Sequence, residues 1–378
     1  MAAPKSPISG AFNETSPTIS KCYICNKDII CEDIYNEHII LNSLGGRLKS
    51  KSLVCEPCSV SVHKIDTALS KSLNLFGLLL DIKRDRKTNP SIKVTRSDTG
   101  EEIFLHSGGK PGLTDKPLIE DKLDDNEQPF SHVRTSNKSQ MRKVLTGLKR
   151  KKYPSLNVEE KVNSAVLQQE KIPRVHTKIL FGDQELRSVC KMAINFYMYH
   201  GGKRDLIAHL IPYIQNRCEN QCVNYYYPDE LIATPNLSGT FIHTLFIKGN
   251  PQEKLLYGYI ELYNAFRLIV LLSDSYEETS FQEIYSFDVL SRREVDKKIN
   301  INISRKELLD LVNNSEPPLE KIVIAIKDLQ KAIEGDIAIK DILKNISEGA
   351  DVGEKMSQQS IAKKLSKGIW DFMSRGGK

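Results

Sequence analysis

Four cysteines stand in two close pairs, Cys22-x2-Cys25 and Cys55-x2-Cys58, with 29 residues between the pairs. Two such knuckles bring four thiolates to one tetrahedral zinc ion, and a site with four cysteine ligands has no open position, so this zinc is expected to be structural. Zinc bound in this way contributes roughly 10–16 kcal/mol in zinc-finger peptides, enough to fold a loop that has little core of its own. Cys31 falls between the knuckles and reads as a spare buried thiol. The loop that the pairs close contains "NEHIILNSLGG", residues 36–46, in which a carboxylate and an imidazole, Glu37 and His38, precede two isoleucines and end on two glycines. Just past the second knuckle comes a further imidazole, His63.

These groups need elements to position them. "EHII" reads as a strand and Gly45-Gly46 as a turn taking positive φ. The second knuckle opens a helix on which Ser59 and His63, four apart, share a face. A strand pair with Glu37 and His38, packed on a helix with His63, would gather three polar groups beside a rigid zinc staple. Adjacent residues of a regular strand point to opposite sides, so a bend or bulge is needed for both to serve one site.

Cys22-x2-Cys25, Glu37-His38-Ile39-Ile40, Leu44-Gly45-Gly46, Cys55-x2-Cys58 and Ile65-Asp66 together resemble the HNH endonuclease domain in its zinc-stapled branch, as found at the N-terminus of larger bacterial HNH proteins. The resemblance covers about 60 residues and implies a ββα-metal fold, a hairpin followed by a helix around one divalent ion. It makes His38 the general base, Glu37 the acidic metal ligand beside it and His63 a helical metal ligand, with Mg²⁺ or Mn²⁺ as the catalytic ion and 5′-phosphate ends as products. Three positions depart from the family pattern. Leu41 replaces a common proline. Ser50 replaces an asparagine that orients the base, which leaves open what fixes the His38 ring. Ser59 replaces an asparagine or histidine ligand. Asp66 reads as a structural hydrogen-bonding residue rather than a ligand.

The remaining 300 residues place this head in context. The chain has 378 residues, 40% apolar and 27% charged, as expected of a soluble globular protein. No apolar run nears the roughly 18 residues that span a bilayer, and the N-terminus lacks the apolar core of a secretory signal. A reducing cytoplasm is therefore the expected location, where paired cysteines hold metal rather than disulfides. Net charge is only +6, but the stretch from Pro129 to Val158 has no acidic residue and carries Arg134, Lys138, Arg142, Lys143, Lys149, Arg150, Lys151 and Lys152. Such a stretch suits a phosphate backbone, or else a solvated linker. Arg47 and Lys49, next to the candidate site, join Lys149, Arg150, Lys151 and Lys152 as candidate nucleic-acid contacts.

The expected fold class is α+β. A flexible tail (1–20) precedes the HNH head (21–85), a hairpin plus basic linker region (86–180), and a larger mixed domain (181–378) with an antiparallel sheet and C-terminal helices. The hairpin is expected to turn at Asp98-Thr99-Gly100, and much of 111–175 reads as loop with short helical pieces. Asp183 is expected to cap a helix with Leu186, Val189, Cys190, Ala193, Ile194 and Tyr197 at helical spacing. "GTFIHTLFIKG", "KLLYGYIEL" and "AFRLIVLLS" read as three strands, Ser304 as a helix cap and 357–375 as a closing helix. Cys218 and Cys222, near His209, make a weak second metal candidate, and the tyrosines of "NYYYPDE" suit a core edge or base stacking.

The favoured function is a metal-dependent endonuclease acting on DNA. Proteins of this build resemble bacterial defence and restriction effectors, in which the C-terminal domain restrains the nuclease until an activating partner or signal arrives, and a homo-oligomer is compatible with that build. The alternatives are a zinc-stapled nucleic-acid binder that does not cleave, and an RNA-cleaving nuclease. No membrane partner is expected.

Overall fold

The computed structural model describes residues 20–30, 34–85, 89–97, 100, 102–113, 117–124, 127–135, 137–166, 180–233 and 239–348, with six further positions between 363 and 374. The tail before Ser20, Cys31, the Asp98-Thr99 pair and most of the expected closing helix lie outside the described residues. The fold is mixed helix and sheet. In the head, β1 (Glu37–His38) and β2 (Lys49–Ser50) pair antiparallel, with Glu37 opposite Ser50 and His38 opposite Lys49. Three short helices follow: α1 (Glu56–Ser61), α2 (His63–Ser72) and α3 (Asn74–Leu79). The hairpin-then-helix order is that of the expected ββα head. The helix that was expected to carry both Ser59 and His63 is broken at Val62, whose φ and ψ of −103° and 4° are not those of an α-helix.

A three-stranded antiparallel sheet comes next: β3 (Ile92–Thr95), β4 (Glu102–His106) and β5 (Lys110–Leu113). Its Ile103 and Leu105 pack on Leu78 of α3. The following segment is more regular than its polar composition suggests. β6 (Leu118–Leu123) and β7 (Pro129–Arg134) form a hairpin, and α4 (Lys138–Lys151) and α5 (Val158–Asn163) are each capped by an asparagine side chain, Asn137 and Asn157. Capping and a thin apolar stripe ending in the buried Leu145 hold these helices. A stripe that thin is masked by the many lysines when composition alone is read.

The body is organised by α6 (Asp183–Tyr199), followed by the short α7 (Ile211–Ile214). Asp183 is the first helical residue rather than the cap; Gly182 holds the cap position and its N–H donates to Glu185. Against α6 lies a six-stranded antiparallel sheet of β8 (Val223–Tyr225), β9 (Ile242–Asn250), β10 (Leu255–Leu262), β11 (Phe266–Ser273), β12 (Phe281–Asp288) and β13 (Arg293–Glu294), in the order β13-β12-β9-β10-β11-β8. Three of these strands were legible from their apolar runs. β12, "FQEIYSFD", was not, because its half-exposed first residues carry a weak pattern. The alternation of β10 sorts its side chains: Leu256, Ile260 and Leu262 face the core shared with α6, while Leu255, Tyr257 and Tyr259 face a second core with Leu308 and Val312. The latter two come from α8 (Arg305–Asn314), which Ser304 caps as expected, and α9 (Leu319–Glu348) follows. Tyr225 and Tyr227 are buried, so this aromatic cluster is a core edge.

Head and body share one continuous core that runs from Tyr23, Ile39, Ile40 and Leu69 to Val189, Met192, Ile260 and Phe266. Its polar fastening to the head turn is His243 of β9. Tyr263 donates its N–H to Nδ1, so Nε2 carries the proton and donates to the Leu44 carbonyl, 2.9 Å away. Leu44 ends the turn in which Gly45 takes φ +90°, while Gly46 is needed for closeness instead: a Cβ there would lie 2.0 Å from the Ile40 carbonyl oxygen.

Burial pushes the pKa of His243 down to about 4 from an ordinary 6.5, against the opposing pull of the Leu44 carbonyl, Glu261 and Asp288. The unfolded chain therefore binds the extra proton first. Stability from this group is complete above about pH 6.5 and falls as pH drops toward 4, by on the order of 3 kcal/mol. Urea unfolding followed across this range should show a steep acid loss that flattens in His243→Gln.

Candidate active site and zinc cluster

The zinc knuckles form as their spacing requires. Asn26 takes the left-handed φ of +61° and returns its N–H to the Cys22 carbonyl, 2.8 Å away, while Cys55 sits at the N-cap of α1. The four Sγ atoms of Cys22, Cys25, Cys55 and Cys58 all lie within 4.8 Å of one another, with Cys25 and Cys55 3.8 Å apart. A tetrahedron with Zn–S bonds of about 2.3 Å has an edge of roughly 3.8 Å, so the four thiols are gathered at the scale a zinc ion needs. Among the described residues no other group of three or more histidine, cysteine or acidic side chains comes this close. The Cys218–Cys222–His209 candidate does not assemble: Cys222 lies 3.8 Å from Cys190 inside the body.

Glu37, His38 and His63 line one cavity of about 310 Å³, together with Ser59, Asp66, Asn42 and Arg84. Strand alternation separates the first two. Glu37 turns inward and is buried, whereas His38 faces the outer side of the hairpin. His63, at the start of α2, is exposed.

Glu37 does not enter the cavity alone. Lys191 of α6 donates to its Oε1 at 2.5 Å and to Asp66 Oδ2 at 2.6 Å. Asn195 donates to the same Oε1 at 3.3 Å, and Ser59 to Oε2 at 3.1 Å. Ser188 completes the set with a 2.9 Å bond to Asp66. Burial alone would lower the Lys191 pKa, but the charges of Asp66 and Glu37 outweigh it and raise it, so the group stays an ammonium. Asp66 thus serves as the structural hydrogen-bonding residue that its sequence position suggested. Ser59, where the family places a ligand, is spent on Glu37.

These partners were missed in the sequence. Glu185, Ser188, Lys191 and Asn195 recur every three or four residues and form a polar stripe along α6, beside its apolar positions. The spacing was visible; the two carboxylates that it meets come from more than a hundred residues away.

A divalent ion fits here only if it keeps much of its own water. Glu37 already accepts three hydrogen bonds, about three of the four a carboxylate can take. The carboxylates of Glu37 and Asp66 and the imidazole of His63 are the groups lining the cavity that could hold such an ion, and Mg²⁺ is often held by one or two carboxylates and several waters.

His38 presents Nε2 to Asp85 Oδ2 at 3.3 Å, and Asp85 also accepts from Arg47 at 2.9 Å and Lys49 at 3.1 Å. Burial lowers the pKa of His38, with the Lys49 charge adding to it and Asp85 and Glu37 opposing. Arg47 first, and then Lys49, hold the Asp85 carboxyl well below the usual carboxylate range. Arg47 and Lys49 therefore stand beside His38. Lys149, Arg150, Lys151 and Lys152 lie apart from it in sequence, exposed at and just past the end of α4, with Lys152 paired to Asp121. No helix among the described residues is long and apolar enough to cross a membrane.

Two outcomes test this arrangement. Purified protein should hold about one zinc per chain, and Cys55→Ser should release it and leave the head sensitive to protease. Lys191→Met should leave Glu37 and Asp66 unpaired and cost about 3–5 kcal/mol in urea unfolding.

No curated protein and no solved structure matches the chain. Residues 22–74, from the first cysteine of the cluster to the start of α3, match the HNH endonuclease family, so it is the N-terminal head that carries the similarity.

Proposed function

We propose that the protein is a metal-dependent endonuclease that hydrolyses phosphodiester bonds of DNA, with His38 as general base. The observation that carries this reading is the shared cavity: the imidazoles of His38 and His63 and the carboxylate of Glu37 line one recess in a head that matches the HNH endonuclease family. A divalent ion held by Glu37 and His63 would supply charge neutralisation at the phosphate and at the leaving oxygen.

The chain's own groups account for the rest. A base must be neutral to accept a proton, and the burial that lowers the pKa of His38 favours its neutral form at physiological pH. Arg47 and Lys49 set positive charge beside His38, where a phosphodiester would lie. The exposed cluster Lys149, Arg150 and Lys151 extends the capacity for backbone contact. Lys191 reaches the head from the body, so a signal that shifts α6 would change the charge around Glu37. That contact is a route by which the C-terminal body could control the head.

A second reading, a zinc-stapled binder without cleavage, draws on one observation: Lys191 and Ser59 already engage both oxygens of Glu37.

The assay is nicking of supercoiled plasmid with Mn²⁺ or Mg²⁺, beside a structured RNA. His38→Ala should lower the rate about 10²–10⁴-fold. Unchanged nicking by His38→Ala removes this mechanism, cleavage of the RNA alone shifts the substrate, and plasmid binding with no cleavage under either metal favours the binder.

A further inference from the structure

A general base on an imidazole works only if the correct ring nitrogen is free of a proton and aimed at water. The residue that the family uses to orient the ring is a serine here, and Ser50 is occupied elsewhere: its Oγ lies 2.8 Å from Ser52 Oγ and accepts the Ser52 N–H. The structure supplies another partner, outside the segment that matches the family. Asp85 follows α3 and places Oδ2 3.3 Å from His38 Nε2.

Asp85 is itself fixed from three sides. Arg47 holds Oδ1 at 2.9 Å, Lys49 holds Oδ2 at 3.1 Å, and the Asp85 N–H donates to Asn42 Oδ1 at 3.1 Å. Lys49 is the register partner of His38 across the hairpin, and Asn42 lies in the turn just beyond it. The carboxylate is thus tied to the same two strands and turn that carry the imidazole, and two cations keep it ionised. An ionised carboxylate only accepts hydrogen bonds, so the ring nitrogen facing it must carry a proton.

We propose that Asp85 is the positioning residue of the catalytic base: it accepts the Nε2–H of His38, which leaves Nδ1 as the proton acceptor. This inference rests on the nuclease reading for its catalytic meaning, while the tautomer stands on geometry alone. In the step it supports, Nδ1 takes a proton from water and the hydroxide forms a bond to phosphorus. The bond from phosphorus to the leaving oxygen breaks, and that oxygen takes a proton from solvent. The imidazolium keeps both protons until it returns one to solvent, and Asp85 stays ionised beside it, stabilising the charge. Arg47 and Lys49 then have two duties, holding Asp85 and facing the substrate phosphate.

The test has one arm that needs no activity. In ¹⁵N-histidine spectra of the full chain at pH 8, with His38 assigned by its loss in His38→Ala, the ring should be the Nε2–H tautomer. In Asp85→Ala it should become a mixture of the two. A wild-type Nδ1–H ring, or a tautomer unmoved by Asp85→Ala, overturns the proposal even if the enzyme cleaves DNA.

The second arm is steady-state nicking. Asp85→Ala should lower kcat about 10–100-fold with KM nearly unchanged, and Asp85→Asn, which keeps an amide oxygen as acceptor, should recover part of the loss. In a His38→Ala background Asp85→Ala should cost nothing further. An equal loss in both backgrounds assigns Asp85 to structure alone. A lowered KM with kcat intact makes it a competitor for the phosphate site. Either result overturns the proposal. A correct tautomer in a protein that never cleaves would instead count against the nuclease reading.

Discussion

One ammonium group, buried between two carboxylates, sets how the head sits on the body. Lys191 donates to Glu37 and Asp66 from the middle of α6, with Ser188 and Asn195 of the same helix beside it. The buried Glu37 and the partly buried Asp66 face a single buried ammonium, and the hydroxyl of Ser59 and the amide of Asn195 add hydrogen bonds to Glu37. Such a group tolerates little sliding, because Lys191 and Glu37 are buried and a shift of α6 would part them where water cannot readily replace the lost bonds. The apolar contacts around it would accept several registers of α6 against α2; the charges accept one.

The chemistry of the cavity follows from that constraint. With Glu37 drawn inward, strand alternation sends His38 outward to Asp85, Arg47 and Lys49. The hairpin thereby separates a charge-balanced interior from a basic, solvent-facing edge, and the cavity opens between them. On the interior side the polar atoms are nearly all paired. On the outer side His63 is exposed and the His38 ring has one nitrogen engaged. The four-cysteine cluster reaches the site through α1: Cys55 opens that helix, and the helix carries Ser59 to Glu37.

The body performs a second kind of positioning. His243 of β9 and Tyr263, in the turn just after β10, meet at the Leu44 carbonyl, so the turn that ends the opening motif is anchored by residues about two hundred positions later. Head and body share a core, and the candidate site is lined by the head yet tuned by the body. The match to the HNH family ends at residue 74, while Asp85, Lys191, Asn195 and His243 lie beyond it. What distinguishes this chain's cavity therefore comes from outside the shared domain.

The amino-acid sequence by itself determined the four-cysteine cluster, the hairpin-and-helix head and the three central strands. Each is a local pattern: a cysteine spacing, an alternation, a cap, a turn glycine. In the sequence much of 111–175 reads as loop with short helical pieces, because lysine-rich composition hides the β6–β7 hairpin and the caps of α4 and α5, and β12 goes unread because its burial begins only partway along the strand. Only the tertiary structure decided what the charged groups do. A lysine at 191 and a glutamate at 37 carry no sign of each other in the chain, since ion pairing depends on through-space distance and on the loss of water at a contact that exists only after α6 has docked. The same holds for Asp85: its type is read from one letter, but its role depends on the two strands and the turn that bring Arg47, Lys49 and His38 within about 3 Å of one carboxylate.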